Sequence, residues 1–155
     1  MDNFKAAQER DAHQAAGDYT MREIRTLPAS DFAAAMEAWD PERAERAVVS
    51  LARQRGAAEV FNMLWRYGAR DYRNIGHKAI YVANSFRTLE VIGWQHAEPV
   101  LRSLAYALVD TLRDGNPSKK DLPADRPFRK NVPAAKSIRG DWFNGKPSRD
   151  ATGEV

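Results

Sequence analysis

Apolar and polar positions along this chain repeat mostly at helical spacing. From Ala44 the series Ala47, Val48, Leu51 and Ala52 marks one stripe, and Ala57, Val60, Phe61, Leu64 and Tyr67 mark a second. Asp40-Pro41-Glu42 supplies a cap, a first-turn proline and a first-turn acid for the first stripe. Gly56 divides the two, so helices at about 41–55 and 57–67 are expected as an antiparallel hairpin. Ser30 is placed to cap a shorter helix over Asp31 to Trp39. The alanine-rich stretch Phe4 to Ala16 reads as a helix of shallow burial, and 18–29 as an irregular arm.

The central stretch is the most apolar. Ala79, Val82, Ala83, Phe86, Leu89 and Gly93 share one face, with Ile80 and Val91 flanking it. A helix apolar around so much of its girth is expected between neighbours. After a break at Gly93-Trp94-Gln95-His96, the strongest stripe runs Val100, Leu101, Leu104, Ala105, Leu108, Val109 and Leu112. Residues 69–75 between the hairpins read as a polar connector. No stretch alternates long enough for a strand. The class is all-α: stacked antiparallel helical hairpins, a helical bundle or short repeat-like array, with an extended C-terminal tail.

Composition divides the chain into a helical domain over 1–114 and a basic Pro/Gly-rich tail over 115–155, expected to be extended or disordered. The tail holds five of the eight prolines and four of the nine glycines. Charge divides at the same place. Residues 1–114 carry 15 basic and 16 acidic side chains, whereas 115–155 carry 9 and 5. A folded nucleic-acid surface concentrates cations on the body, so no nucleic-acid partner is expected. There is no cysteine, hence no disulfide or thiolate chemistry. The N-terminus lacks a basic region followed by an apolar run, and no stretch of about 18 apolar residues occurs. A cytoplasmic chain with no membrane partner is expected.

Three side chains of the central helix are candidates for chemistry. His77 sits in the first turn, where the positive helix end favours a neutral imidazole able to act as acid, base or ligand. The commoner role for such a residue is to cap the helix or bond a loop carbonyl. Arg87 in an apolar helix needs an anion, either Glu90 three residues on or a substrate group. Asn84 lies between them, so His77, Asn84 and Arg87 form a polar stripe that either faces a pocket or cross-links helices. His96 and Glu98 are close in the following turn. A helix length of about 25 Å separates His96 from His77, so no two-histidine site forms within the hairpin. No metal site is expected, and no glycine-rich phosphate loop is present.

The same stretch resembles bacterial members of the questin oxidase-like family. The matching residues are His77, Ile80, Ala83, Arg87, Leu89 and Glu90, followed by Leu104-Ala105-Tyr106, over about 30 residues or a fifth of the chain. Asn84 stands where the family pattern has a second histidine. The resemblance implies a helical oxidoreductase that inserts oxygen into an anthraquinone-like ring using NADPH, with His77, Asn84 and Arg87 as its catalytic group. It also implies a longer protein of which this chain is a piece. The competing reading is a non-catalytic helical scaffold. Self-association or a protein partner is expected, because the 77–112 hairpin is more apolar than the thin helices around it.

Overall fold

The computed structural model describes residues 24–111 and 115–145, apart from the side chain of Asn74. The expected helix at 4–16, most of the irregular arm and the last ten residues lie outside them. Among the described residues six α-helices follow in order: α1 (Asp31–Glu37), α2 (Pro41–Gln54), α3 (Ala57–Gly68), α4 (His77–Ile92), α5 (Ala97–Val109) and α6 (Arg126–Ala135). Single 3-10 turns at Arg73–Gly76, Trp94–His96, Pro117–Lys119, Pro123–Asp125 and Trp142–Asn144 connect or follow them. Among the described residues there is no strand, and the fold is an all-α bundle. No helix among them is long and apolar enough to cross a membrane.

Local chemistry sets the boundaries. Asp40 adopts an extended backbone, and its carboxylate accepts the Arg43 N–H at 3.0 Å ahead of Pro41 in the first turn of α2. Ser30 does not play that part at α1: its backbone is already helical, and its side chain makes no cap bond. Helix α1 also stops short of Trp39. That residue has φ +53°, a left-handed conformation that ends a helix and is rare for a large side chain.

The helices pair differently from the chain order. Helix α5 packs chiefly on α2, and α3 on α4, whereas α2 and α3 meet only sparsely. The expected 41–67 hairpin is therefore opened into a corner. Arg55 and Gly56 are both extended, which carries α3 away from α2 instead of folding it back. Helices α2 and α5 run antiparallel, tied by Glu45–Arg102 at 2.6 Å and Arg53–Glu98 at 2.7 Å. Phe32, Met36, Val48, Val60, Leu64, Leu101 and Leu108 are wholly buried, and each such aliphatic or aromatic side chain contributes about 1.5–3 kcal/mol. Alanines at 44, 47 and 105 are also wholly buried and let the helices approach closely. Helices α3 and α4 touch through Gly68: a Cβ there would sit 2.8 Å from Val82 Cγ2.

Helix α4 is less buried than its composition predicts. Val82 and Leu89 are buried and Phe86 is half-buried, but Ile80 and Val91 are exposed and Ala79 faces solvent. Helices α3 and α5 cover two sides of α4, and no other described helix covers its outer side.

The C-terminal segment also departs from expectation. Residues 115–145 are not simply extended: they carry α6, and they are fastened to the bundle. Asn116 Nδ2 donates to the Ala38 carbonyl at 3.0 Å, and Asp125 is buried against Arg73.

Candidate functional site

The connector from Ala69 to Gly76 is polar in sequence, yet its charges are buried. Arg70, Asp71 and Arg73 lie in the interior with Lys78 of α4 and Asp125 of the C-terminal segment. Each has an identifiable counterpart. Arg73 donates to both carboxylate oxygens of Asp125, at 2.6 and 3.0 Å. Asp71 accepts the Arg73 backbone N–H at 2.8 Å and the Lys78 ammonium at 3.1 Å. Lys78 Nζ also donates to the carbonyls of Leu108 at 3.0 Å and Asp110 at 2.6 Å, so it caps the C-terminal end of α5. Arg70 donates to the Met36 carbonyl at 2.6 Å and does the same for α1.

Trp39 is the common wall of this centre. Arg70 lies 3.5 Å from its ring centroid, Lys78 4.8 Å and Arg73 5.0 Å. Arg70 Nε and Nη2 are buried without a hydrogen-bond partner among the described residues, and the electron-rich ring face is what they meet instead. Burial lowers the Arg70 pKa to about 10, with Glu37 and Asp71 opposing the shift, so the group remains cationic at neutral pH. Burial likewise pulls Lys78 below the ordinary lysine value, against the attraction of Asp71. Tyr67, which lies edge-on to Phe32, is pushed up first by burial and then by Glu37.

A cleft of about 430 Å³ opens between α4 and α5 beside this centre. Tyr81, Asn84, Ser85 and Thr88 line it from α4, and Val100, Ser103, Leu104 and Ala107 from α5. Lys78, Arg73 and Asp110 close one end. The volume falls within the range of small-molecule sites, about 300–1,000 Å³. Its chemistry is divided between hydroxyl, phenol and amide groups on α4 and mostly apolar side chains on α5.

The three expected site residues are dispersed. Asn84 lines the cleft. His77 is half-buried at the start of α4, its ring stacked on Tyr81 with centroids 6.2 Å apart. It borders the site through Tyr81 and does not line it. Arg87 is exposed and lies outside the cleft, and it forms no ion pair with Glu90 among the described residues. Of the expected polar stripe His77–Asn84–Arg87, only Asn84 lies in the cleft wall. At 3.6 residues per turn, Arg87 points about 120° away from Tyr81, at the centre of the cleft face. His96 is exposed, and Glu98 is engaged by Arg53.

Sequence reasoning missed the buried centre and most of the cleft. One signal was present: Lys78 stands in the first turn of a helix with an apolar face, directly after a connector dense in charge. Asp125 gave no such signal, being 52 residues from its partner.

The two cations at the end of the cleft are engaged within the protein. Lys78 uses all three of its N–H groups on Asp71, Leu108 and Asp110, and Arg73 is held by Asp125. Among the described residues no cluster of three or more His, Asp or Glu is arranged to hold a metal. Comparison with protein-family models, curated proteins and solved structures finds no match to this chain.

Proposed function

We propose that the α4–α5 cleft binds a small, uncharged ring compound bearing a carbonyl or hydroxyl oxygen. The observation that carries this reading is the division of its walls. Tyr81, Asn84, Ser85 and Thr88 offer hydrogen bonds from one side, and Val100, Leu104 and Ala107 offer an apolar face from the other. A flat ring with polar edges is complementary to such a slot. The internal pairing of Lys78 and Arg73 disfavours selection of an anion.

The resemblance of residues 77–106 to the questin oxidase-like family supports an aromatic ketone as the ligand and an oxidoreductase as the class. Asn84 and Tyr81 are then the groups that meet the substrate oxygen.

Titration of the purified chain with a hydroxyanthraquinone, followed by calorimetry, tests the binding step. Saturable one-site binding is expected, weakened at least tenfold by Ser85→Leu or Ser103→Leu, which narrow the slot. Binding that is absent, or equal in these variants, overturns the reading. Oxygen uptake with the bound ketone and NADPH tests the oxidoreductase class separately.

One observation favours the second reading, a helical scaffold joined to a protein partner or a second copy. The outer side of α4 leaves Ile80 and Val91 exposed on a helix whose composition suits burial. A concentration-independent monomer mass in light scattering would count against self-association.

A further inference from the structure

We infer that residues 126–145 form a peripheral docking surface for anionic lipid membranes. This surface is separate from the α4–α5 cleft and does not depend on what the cleft binds.

Helix α6 has no buried residue. Phe128, Val132 and Ala135 recur at i, i+4 and i+7 and line a shallow groove with Arg66 of α3. The Arg66 guanidinium lies 5.9 Å from the Phe128 ring centroid. Arg126, Arg129 and Lys130 are exposed. The chain then continues into three large exposed apolar side chains: Ile138 is 60% exposed, Trp142 71% and Phe143 69%. Lys136 and Arg139 stand among them.

The charge of the segment is one-sided. Five cations, Arg126, Arg129, Lys130, Lys136 and Arg139, face a single carboxylate within it, Asp141, which pairs with Arg139 at 2.6 Å. Asp121, just before the segment, is shared by Arg126 and Arg129. Lys130 and Lys136 are both exposed, and Lys136 lines the groove of Phe128 and Val132. Exposed tryptophan and phenylalanine next to lysine and arginine is the composition that settles at a headgroup boundary: rings enter the acyl edge while cations meet lipid phosphates.

Single-stranded nucleic acid is the other anionic partner such a segment suggests, and the geometry favours it less. Trp142 and Phe143 meet edge to face at 87°, so they present no common platform for successive bases. Ile138 has no ring to stack. A bilayer accepts all three without shape matching.

The test is co-sedimentation of the full chain with vesicles of phosphatidylcholine, alone or mixed with phosphatidylglycerol. Binding is expected only to the mixed vesicles and is expected to weaken with added salt. Lys130→Glu with Lys136→Glu is expected to reduce binding by about tenfold or more. Trp142→Ala with Phe143→Ala is expected to do the same while leaving the thermal midpoint unchanged. Absence of sedimentation, equal sedimentation with neutral vesicles, insensitivity to both variants, or tighter binding of single-stranded RNA than of vesicles would each overturn the inference.

Discussion

The Arg70 guanidinium lies over Trp39, its Cζ 3.5 Å from the ring centroid, and two of its three nitrogens have no hydrogen-bond partner among the described residues. The ring thus stands in for the hydrogen-bond acceptors that a buried cation needs. Trp39→Phe retains a face and is expected to cost about 1–2 kcal/mol, whereas Trp39→Leu removes it and is expected to cost about 3 kcal/mol or more. Urea unfolding midpoints compare the two. Equal losses would show that the indole acts only by filling space.

Asp125 and Arg73 join the C-terminal segment to the bundle through a buried two-pronged contact. Asp125→Ala leaves Arg73 without its main counterion and is expected to destabilise the fold by about 3–5 kcal/mol. Asp125→Leu combined with Arg73→Met is expected to cost less than the sum of the single changes. A double-mutant cycle by chemical denaturation measures the coupling; strict additivity would refute it.

Gly68 and Gly56 predict opposite outcomes for the same substitution. At Gly68 an added Cβ meets Val82 Cγ2 at 2.8 Å, so Gly68→Ala is expected to cost about 1–3 kcal/mol. At Gly56 there is open space and φ is −73°, so Gly56→Ala is expected to be neutral or to stabilise by up to about 1 kcal/mol. Thermal melts of both variants check the pair.

Lys78 gives the bundle an alkaline signature. Its folded pKa is depressed by burial, so between that value and the unfolded value of about 10.4 the folded chain sheds the proton first. The unfolded chain then binds more protons, and the stability contribution rises with pH across that window. Below it the desolvation cost is fully present. Tyr67 acts in the opposite sense: its raised pKa makes its contribution fall as pH climbs past the ordinary phenol value. The comparison with Lys78→Met isolates the lysine. The wild type is expected to gain on that variant as pH rises from neutral toward about 10, read from urea midpoints. A constant or shrinking difference would contradict the assignment.

His77, Asn84 and Arg87 separate experimentally as they do in space. Arg87→Ala is expected to leave hydroxyanthraquinone affinity unchanged and stability within about 0.5 kcal/mol, because the side chain is exposed and off the cleft. Asn84→Ala is expected to weaken binding severalfold. Calorimetric titration of both variants distinguishes the dispersed arrangement from a joint site.

Helix positions were legible because caps and apolar spacing are local. Asp40-Pro41 announced α2, and Gly56 and Gly93 marked breaks that the structure retains. Pairing was less legible, since a two-residue link permits a corner as readily as a hairpin. The buried centre was hidden for a different reason. Arg70, Asp71 and Arg73 look like a solvated connector until Trp39 and Asp125 arrive from distant parts of the chain. Periodicity also misjudged α4, whose apolar outer side has no neighbour in the described bundle.

Lys78 has one more consequence. The chain itself ties α4 to α5 at the Gly93–His96 turn, and the Lys78 ammonium ties them again at the opposite end through the Leu108 and Asp110 carbonyls. The slot between the helices is thus hinged at one end and latched at the other. A ligand must enter sideways, and a chain with its latch cut, as in Lys78→Met, would let the two helices splay and turn a fixed slot into an adjustable one.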